Sequence, residues 1–409
     1  MLEGTPSLRS LAAIAALAAA VRLFAAWAIP FSAGSGDPNF APDEAQHFAV
    51  IRDLSEGRAP VWPDSPSVYS VFPPSQYLIQ AATLRLGRAF PDLRRLPGRG
   101  PDAVGIFWAR AGSVLLGVAG SVLLARTAGA SFRNAPAGTL AGAAAALYPQ
   151  YAFVTSYCNG DAYTIAAGLL LVDALVRWDS GAKGRGGLGY VGAAAGAVLA
   201  GKLSGFHLLL PAAVWILSQR PPLSALLRSA AVAGVVAIPW LGWNAIRTGG
   251  DVLGVRLYAR YMAEVWHPQT LSQMPGGFRL FVRMIVNSAI GVFGNMSLPL
   301  PWPLRTAIAA SVLVGAPLAA RQLFREPAQR RAVWFVAGAI LVSLSAELLK
   351  SLRFDFSPQG RYVLIPVLLV AAAAAAGLAR RWPRWALAFP GVLALSALTM
   401  EWQLATKGR

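Results

Sequence analysis

The amino-acid sequence predicts an all-α fold, a polytopic transmembrane helical bundle of about eleven helices, and three observations carry that expectation. The first is composition: 56% of the 409 residues are hydrophobic and 13% are charged, and the mean hydropathy is +0.51, outside the range of an ordinary soluble domain. The second is spacing. Apolar runs rich in Ala, Leu, Val and Gly recur roughly every 25 to 40 residues, each near the ~20 residues that cross a ~30 Å hydrocarbon core. The third is continuity: Val367 to Gly377 is apolar at every position, whereas a spanning strand would alternate in polarity.

In chain order the expected spans are 8–30, 102–127, 135–156, 160–178, 187–200, 203–219, 224–244, 303–320, 332–349, 361–379 and 384–402. The first runs straight on into polar chain and reads as a signal anchor. The net charge of +18 would suggest a nucleic-acid partner in a soluble protein; in a membrane protein it is a topology signal, and no nucleic-acid partner is expected. Connectors holding Arg126, Arg133, Arg177, Lys183, Arg185, Arg220, Arg228, Arg321, Arg325, Arg330, Arg331, Arg380, Arg381 and Arg384 carry only the acids Asp179 and Glu326. By the positive-inside rule they face the cytoplasm. The N-terminus is then cytoplasmic, and the C-terminus lies outside with 31–101, 157–160, 245–302 and 350–360. The expected location is the inner (cytoplasmic) membrane with the active site facing the periplasm or exterior.

Two outer segments exceed plain connectors. In 31–101, Pro42 opens a helix whose Phe48, Ile51 and Leu54 recur at three-residue spacing, an amphipathic pattern for a helix lying along the membrane surface. Residues 72–90 suit a second helix dipping into the interface, and 278–294 of the loop 245–302 a third. With no internal repeat, 1–409 reads as one membrane domain. The lone Cys158 excludes an intramolecular disulfide and a cysteine-based metal cluster.

Polar chemistry concentrates in the outer segments. Asp43, Glu44 and His47 follow Pro42 closely enough to share one side of a helix, although acids in a first turn also suit the helix dipole. Asn159 and Asp161 sit in a short turn, where an aspartate can act as a simple cap. Lys202 lies between two apolar runs, where it can snorkel to the interface or serve a site. Gln359, Arg361 and Tyr362 stand where a span begins, and Arg361 is open to pairing with Glu347, Asp355, a lipid headgroup or a phosphate. Arg256 and Arg260, among Tyr258 and Tyr261, make a basic aromatic stretch that also fits a membrane-interface belt. Carboxylates able to act as a base, cations able to hold a phosphate, and adjacent lipid together suit group transfer from a lipid phosphate. A carboxylate would take the proton of an acceptor hydroxyl as it attacks an anomeric carbon. Cations, or a divalent ion such as Mg or Mn held by Asp43, Glu44, His47 and Asp161, would stabilise the departing phosphate.

An acidic pair in the first external loop of a multi-helix membrane protein resembles the GT-C superfamily of glycosyltransferases. Pro42-Asp43-Glu44 with His47-Phe48 and Leu54-Ser55-Glu56-Gly57, then Asn159 to Asp161, Lys202 to Gly205, Gly291 to Gly294 and Gln359 to Tyr362, resemble in order the motifs of a bacterial branch of that superfamily. They span 42–362. The resemblance implies a GT-C-like fold and transfer of a sugar from a polyprenyl-phosphate donor to an envelope glycan, lipid or protein acceptor on the outer face. It implies Asp43 as general base and Asp161 as second acid of the site. Glu44 and His47 would place the base or contact substrate, and Lys202 and Arg361 would face the donor phosphate. Phe72 before Pro73-Pro74, and Asn295 after Gly294, depart from the branch's usual pattern. Two other readings stay open: a polymerase or ligase of lipid-linked oligosaccharides, and a transporter or flippase of a lipid-linked or anionic solute, against which stands the lack of an internal repeat.

Overall fold

A computed structural model of the chain describes residues 4–30, 41–90, 101–180, 187–293, 296–325 and 327–407. Lys183, Arg185, Gly294 and Asn295 lie outside the described residues. Among the described residues the architecture is helical, with one two-residue antiparallel pairing, β1 (Val292–Phe293) with β2 (Leu298–Pro299). In chain order the long elements are α1 (Leu8–Ala28), α2 (Glu44–Ser55), α3 (Leu78–Ala89), α4 (Pro101–Phe132), α5 (Ala135–Leu147), α6 (Pro149–Val154), α7 (Asp161–Asp179), α8 (Gly187–Leu199), α9 (Leu209–Ser218), α10 (Leu223–Arg247), α11 (Val255–Tyr261), α12 (Gly277–Gly291), α13 (Trp302–Leu323), α14 (Pro327–Arg353), α15 (Leu364–Arg381) and α16 (Ala388–Lys407).

A helix overlaps each expected span. Among the described residues, six are long and apolar enough to cross a membrane by themselves: those at Leu8–Ala28, Val104–Phe132, Leu223–Arg247, Trp302–Leu323, Gln329–Arg353 and Gly360–Arg381. The chain is an integral membrane protein. The core is built from Ala-rich stretches, Ala141, Ala144 and Ala145 of α5 against Ala371, Ala372 and Ala375 of α15, because small side chains let helices approach where lipid supplies no hydrophobic drive between them.

The expected span 135–156 is broken. Pro149 has no N–H to continue the ladder, and Tyr148 turns extended (φ −64°, ψ 113°) between α5 and α6. Backbone acceptors freed in an apolar setting need donors. Arg22, fully buried in α1, donates from Nη1 to Ala146 O (3.0 Å) and from Nε to Thr155 Oγ1 (2.7 Å) and lies 4.5 Å from the Tyr151 ring centroid. An arginine inside the first span thus bridges the break.

Helix α2 does not simply rest on the membrane surface. Val50 and Ile51 are buried with Tyr77, Ala81, Leu84 and Ala109, and Phe48 and Leu54 pack against that cluster. The apolar stripe read from the sequence faces α3 and α4, because burial against protein removes it from water as effectively as lipid does. This docking fixes the start of α2 over the bundle.

Candidate active site

Asp43 is the residue before α2, in the left-handed region (φ 60°, ψ 11°), a conformation open to Asp and Asn among non-glycine residues. The next residue does the anchoring. Glu44 is buried and takes a two-point ion pair from Arg110 of α4, Nε to Oε1 at 2.8 Å and Nη2 to Oε2 at 2.5 Å. Arg110 also donates from Nη1 to Ala26 O and Ile29 O at the end of α1 (2.6 and 2.7 Å). The Cys158 backbone N–H donates to Glu44 Oε1 (2.8 Å). One carboxylate therefore joins α1, α2, α4 and the turn before α7. Of the acids named from the sequence, Glu44 holds the site together and is committed to Arg110.

That turn is fixed from all sides. Asn159 Oδ1 accepts from Ala162 N (3.0 Å), and Nδ2 donates to Val154 O (2.6 Å) and Tyr157 O (3.1 Å). Gln80 Nε2 donates to Asn159 O (2.8 Å) and Ser113 Oγ to Tyr157 O (2.8 Å). A Cβ on Gly160 would collide with the Gln76 amide. Asn159 supplies the capping contact, so Asp161 is released from that duty. Its Oδ1 pairs with Lys202 Nζ at 2.9 Å and its Oδ2 stands 3.7 Å from Arg361 Nε. Lys202 therefore does not snorkel away from the protein.

Arg361 comes from the other end of the chain. Gly360, where a Cβ would strike the α12 backbone at Ala289, donates its N–H to Ser288 Oγ (2.6 Å) and brings the next residue in against α6 and α7. The guanidinium reaches Asp43 Oδ2 from Nη2 at 3.7 Å, and Nη1 donates to Tyr157 OH at 3.3 Å. Its ion partners are thus Asp43 and Asp161, with Glu347 pairing to Lys350 (3.2 Å). Asp43, Asp161, Lys202 and Arg361, from four distant stretches, meet around one guanidinium. Asp161 Oδ2 and Arg361 Nε are buried without a hydrogen-bond partner, since 3.7 Å exceeds hydrogen-bond reach. Asp43 is the most open acid, its side chain 36% exposed against 4% for Asp161 and 2% for Glu44.

His47 is buried under this cluster, its Nδ1 2.7 Å from Tyr77 OH and its ring stacked on Tyr69 at 4.1 Å. Burial lowers its pKa to about 3 against the opposing pull of Asp43, so the imidazole is neutral across physiological pH. Gln359 lines a recess with Pro42, Tyr157, Ser288 and Arg361. Tyr362 carries cations near its ring: Lys350 Nζ at 4.3 Å, Lys202 Nζ at 5.5 Å and Arg361 Cζ at 5.2 Å. Arg256 and Arg260 are turned outward: Arg256 donates to Gly249 O (3.2 Å), and Arg260 pairs with Glu264 at 2.8 Å. Between them Tyr258 packs on Phe72 at 5.3 Å, and its hydroxyl is pushed up by burial, then by Tyr362, Asp355 and Asp43.

The four candidate metal ligands do not form one set. Glu44 faces Arg110 and Asp161 faces Lys202 and Arg361, and among the described residues no group of three His, Cys, Asp or Glu side chains is suited to hold an ion. Sequence reasoning missed Arg110, Lys350, Tyr69 and Tyr77. Arg110 carried a usable signal, a cation inside an apolar span; Lys350 looked like an ordinary basic helix end.

A scan of family models and a search of curated proteins match nothing. Solved structures do match. ArnT from Cupriavidus metallidurans in the apo state aligns at a TM-score of 0.59 and 16% identity over 97% of this chain and 76% of its own. The same protein bound to undecaprenyl phosphate gives 0.59 and 14% over 98% and 77%. The archaeal oligosaccharyltransferase AglB from Archaeoglobus fulgidus, in complex with an inhibitory peptide and a dolichol-phosphate, gives 0.51 and 13% over 97% of this chain and 55% of its own. At such identities the likeness is one of architecture: the chain shares the fold of ArnT and AglB.

Proposed function

We propose that the protein is an integral membrane glycosyltransferase. It moves a sugar from a polyprenyl-phosphate donor to an envelope glycan, lipid or protein acceptor on the outer face of the inner membrane. The observation that carries this reading is the meeting of Asp43, Asp161, Lys202 and Arg361 in one cluster with buried polar atoms still unpartnered. The fold is one in which ArnT has been captured with undecaprenyl phosphate and AglB with a dolichol-phosphate, which supports a polyprenyl phosphate as the ligand class.

The acceptor hydroxyl attacks the anomeric carbon as the bond from that carbon to the phosphate oxygen breaks, and the electron pair leaves with the phosphate. Asp43, the open acid, takes the hydroxyl proton. Arg361, whose planar fork suits phosphate oxygens, and Lys202 stabilise the charge on the departing group. Asp161 is their counter-ion and keeps both cations in place before substrate arrives. Glu44 positions Asp43 through the backbone, and neutral His47 supports it from beneath. A single displacement inverts the anomeric centre. The cations sit at helix starts beside the outer loops, which fits chemistry at a membrane face better than a carrier site at mid-membrane.

The test is donor turnover by purified protein with a polyprenyl-phosphate sugar. Asp43→Asn is expected to lower the transfer rate about 10²–10⁴-fold with an unchanged thermal unfolding midpoint; transfer at the parent rate removes Asp43 as the base.

A further inference from the structure

At the other end of the bundle lies a cavity of about 380 Å³, within the roughly 300–1,000 Å³ of ligand pockets. Its walls include Phe132 of α4, Val176 of α7, Trp215 of α9, Leu323 of α13, Phe335 of α14 and Ala373 of α15; Thr127 and Ser131 are the polar residues in a lining that is otherwise apolar. Its depth follows from the helices. Thr127 is fourteen residues along α4 from Ser113, which holds the Tyr157 carbonyl, a rise of roughly 21 Å. Phe335 is fifteen residues along α14 from Lys350, which caps the Tyr362 ring, a rise of roughly 22 Å. The cavity belongs to the leaflet opposite the acid cluster.

Its rim is basic. Arg126 and Arg177 share the single carboxylate of Asp173 at 3.2 and 2.9 Å. Arg331 pairs with Asp179 at 2.7 Å. Arg380, which is exposed, donates to the backbone carbonyl of the lining residue Phe132 at 3.2 Å. Among the described residues these four guanidiniums face two carboxylates, an excess of positive charge at this end of the bundle. We propose that this cavity takes one acyl chain of an anionic phospholipid of that leaflet, with the headgroup phosphate on the arginine rim. The apolar walls fit the chain, the charge fits the headgroup, and the separation from the acid cluster keeps the two sites distinct.

The test uses the full chain in neutral detergent, titrated with phosphatidylglycerol or with phosphatidylcholine of the same acyl chains, with bound lipid counted by native mass spectrometry. One phosphatidylglycerol is expected to be retained about fivefold over phosphatidylcholine. Ala373→Phe, which fills the cavity, should lower that retention about fivefold. Arg380→Gln, at an exposed position whose loss leaves the core intact, should bring phosphatidylglycerol toward the phosphatidylcholine level. Equal retention of the two lipids, or retention unchanged in both variants, overturns the proposal. So does displacement of the bound phosphatidylglycerol by equimolar undecaprenyl phosphate, which would give the cavity to a prenyl chain. None of these readouts depends on glycosyl transfer.

Discussion

Helix α7 carries acids near both ends, and the two ends are built differently. At its start Asp161 has one close partner, Lys202 at 2.9 Å, and a second cation held off at 3.7 Å. One carboxylate oxygen and the facing guanidinium nitrogen are left buried and unpartnered. At its far end Asp179 takes both arms of Arg331, at 3.1 and 2.7 Å, and Asp173 has Arg177 at 2.9 Å and Arg126 at 3.2 Å. The far end is the more tightly paired of the two, although Arg126 Nε there is also buried without a hydrogen-bond partner. The start has hydrogen-bonding capacity in reserve, and in a buried setting such capacity is costly unless a ligand uses it. The same contrast separates neighbours in sequence: Glu44 is locked to Arg110 and Asp43 is loosely held.

The contrast can be broken in four ways. The largest effect is expected for Glu44→Gln, which leaves Arg110 buried and unpaired; unfolding in detergent should show a loss of about 3–5 kcal/mol, and a variant as stable as the parent would show that Glu44 is not the anchor. Arg361→Gln should cost about 10²–10³-fold in transfer rate with a much smaller change in stability, and the reverse pattern would make Arg361 a lock like Arg331. Arg331→Gln should do the opposite, lowering stability by about 1–3 kcal/mol while transfer per folded molecule stays at the parent level.

The smallest effect concerns His47. With a folded pKa of about 3 against an ordinary 6.5, the unfolded chain binds the proton between those values and the folded chain does not. The stability contributed by the neutral ring is complete above pH 6.5, declines as pH falls below it, and is lost through about 3. The pH profile of transfer should then show no inflection near 6.5 from this residue; an inflection there that vanishes in His47→Gln would make it a titrating participant.

The helices were legible because long apolar runs have few other uses, although six of them, among the described residues, are long and apolar enough to cross a membrane. The break at Tyr148 was not, since an X-Pro pair inside an apolar run also occurs in continuous kinked helices, and its resolution depends on Arg22, more than a hundred residues earlier. The two-residue strands are too short to show any period. In the site, Asp43, Asp161, Lys202 and Arg361 were legible as polar residues beside apolar runs, whereas their division of labour was not. Adjacent acids look alike on paper. Only the position of Arg110 separates the anchor from the open carboxylate, and a contact across sixty-six residues leaves no local trace. The exposed setting of Arg256 and Arg260 was not legible, because a charge near aromatic rings reads the same whether it faces inward or out.

The left-handed backbone at Asp43 bears on how genetics at this position should be interpreted. Asparagine tolerates that geometry about as well as aspartate, whereas alanine or a β-branched residue would be strained there. An alanine scan would therefore mix a folding defect into any loss of transfer and overstate the part due to the carboxylate. The amide isostere removes the negative charge and leaves the bend undisturbed, and the difference between the two substitutions measures what the chain spends on aiming this side chain.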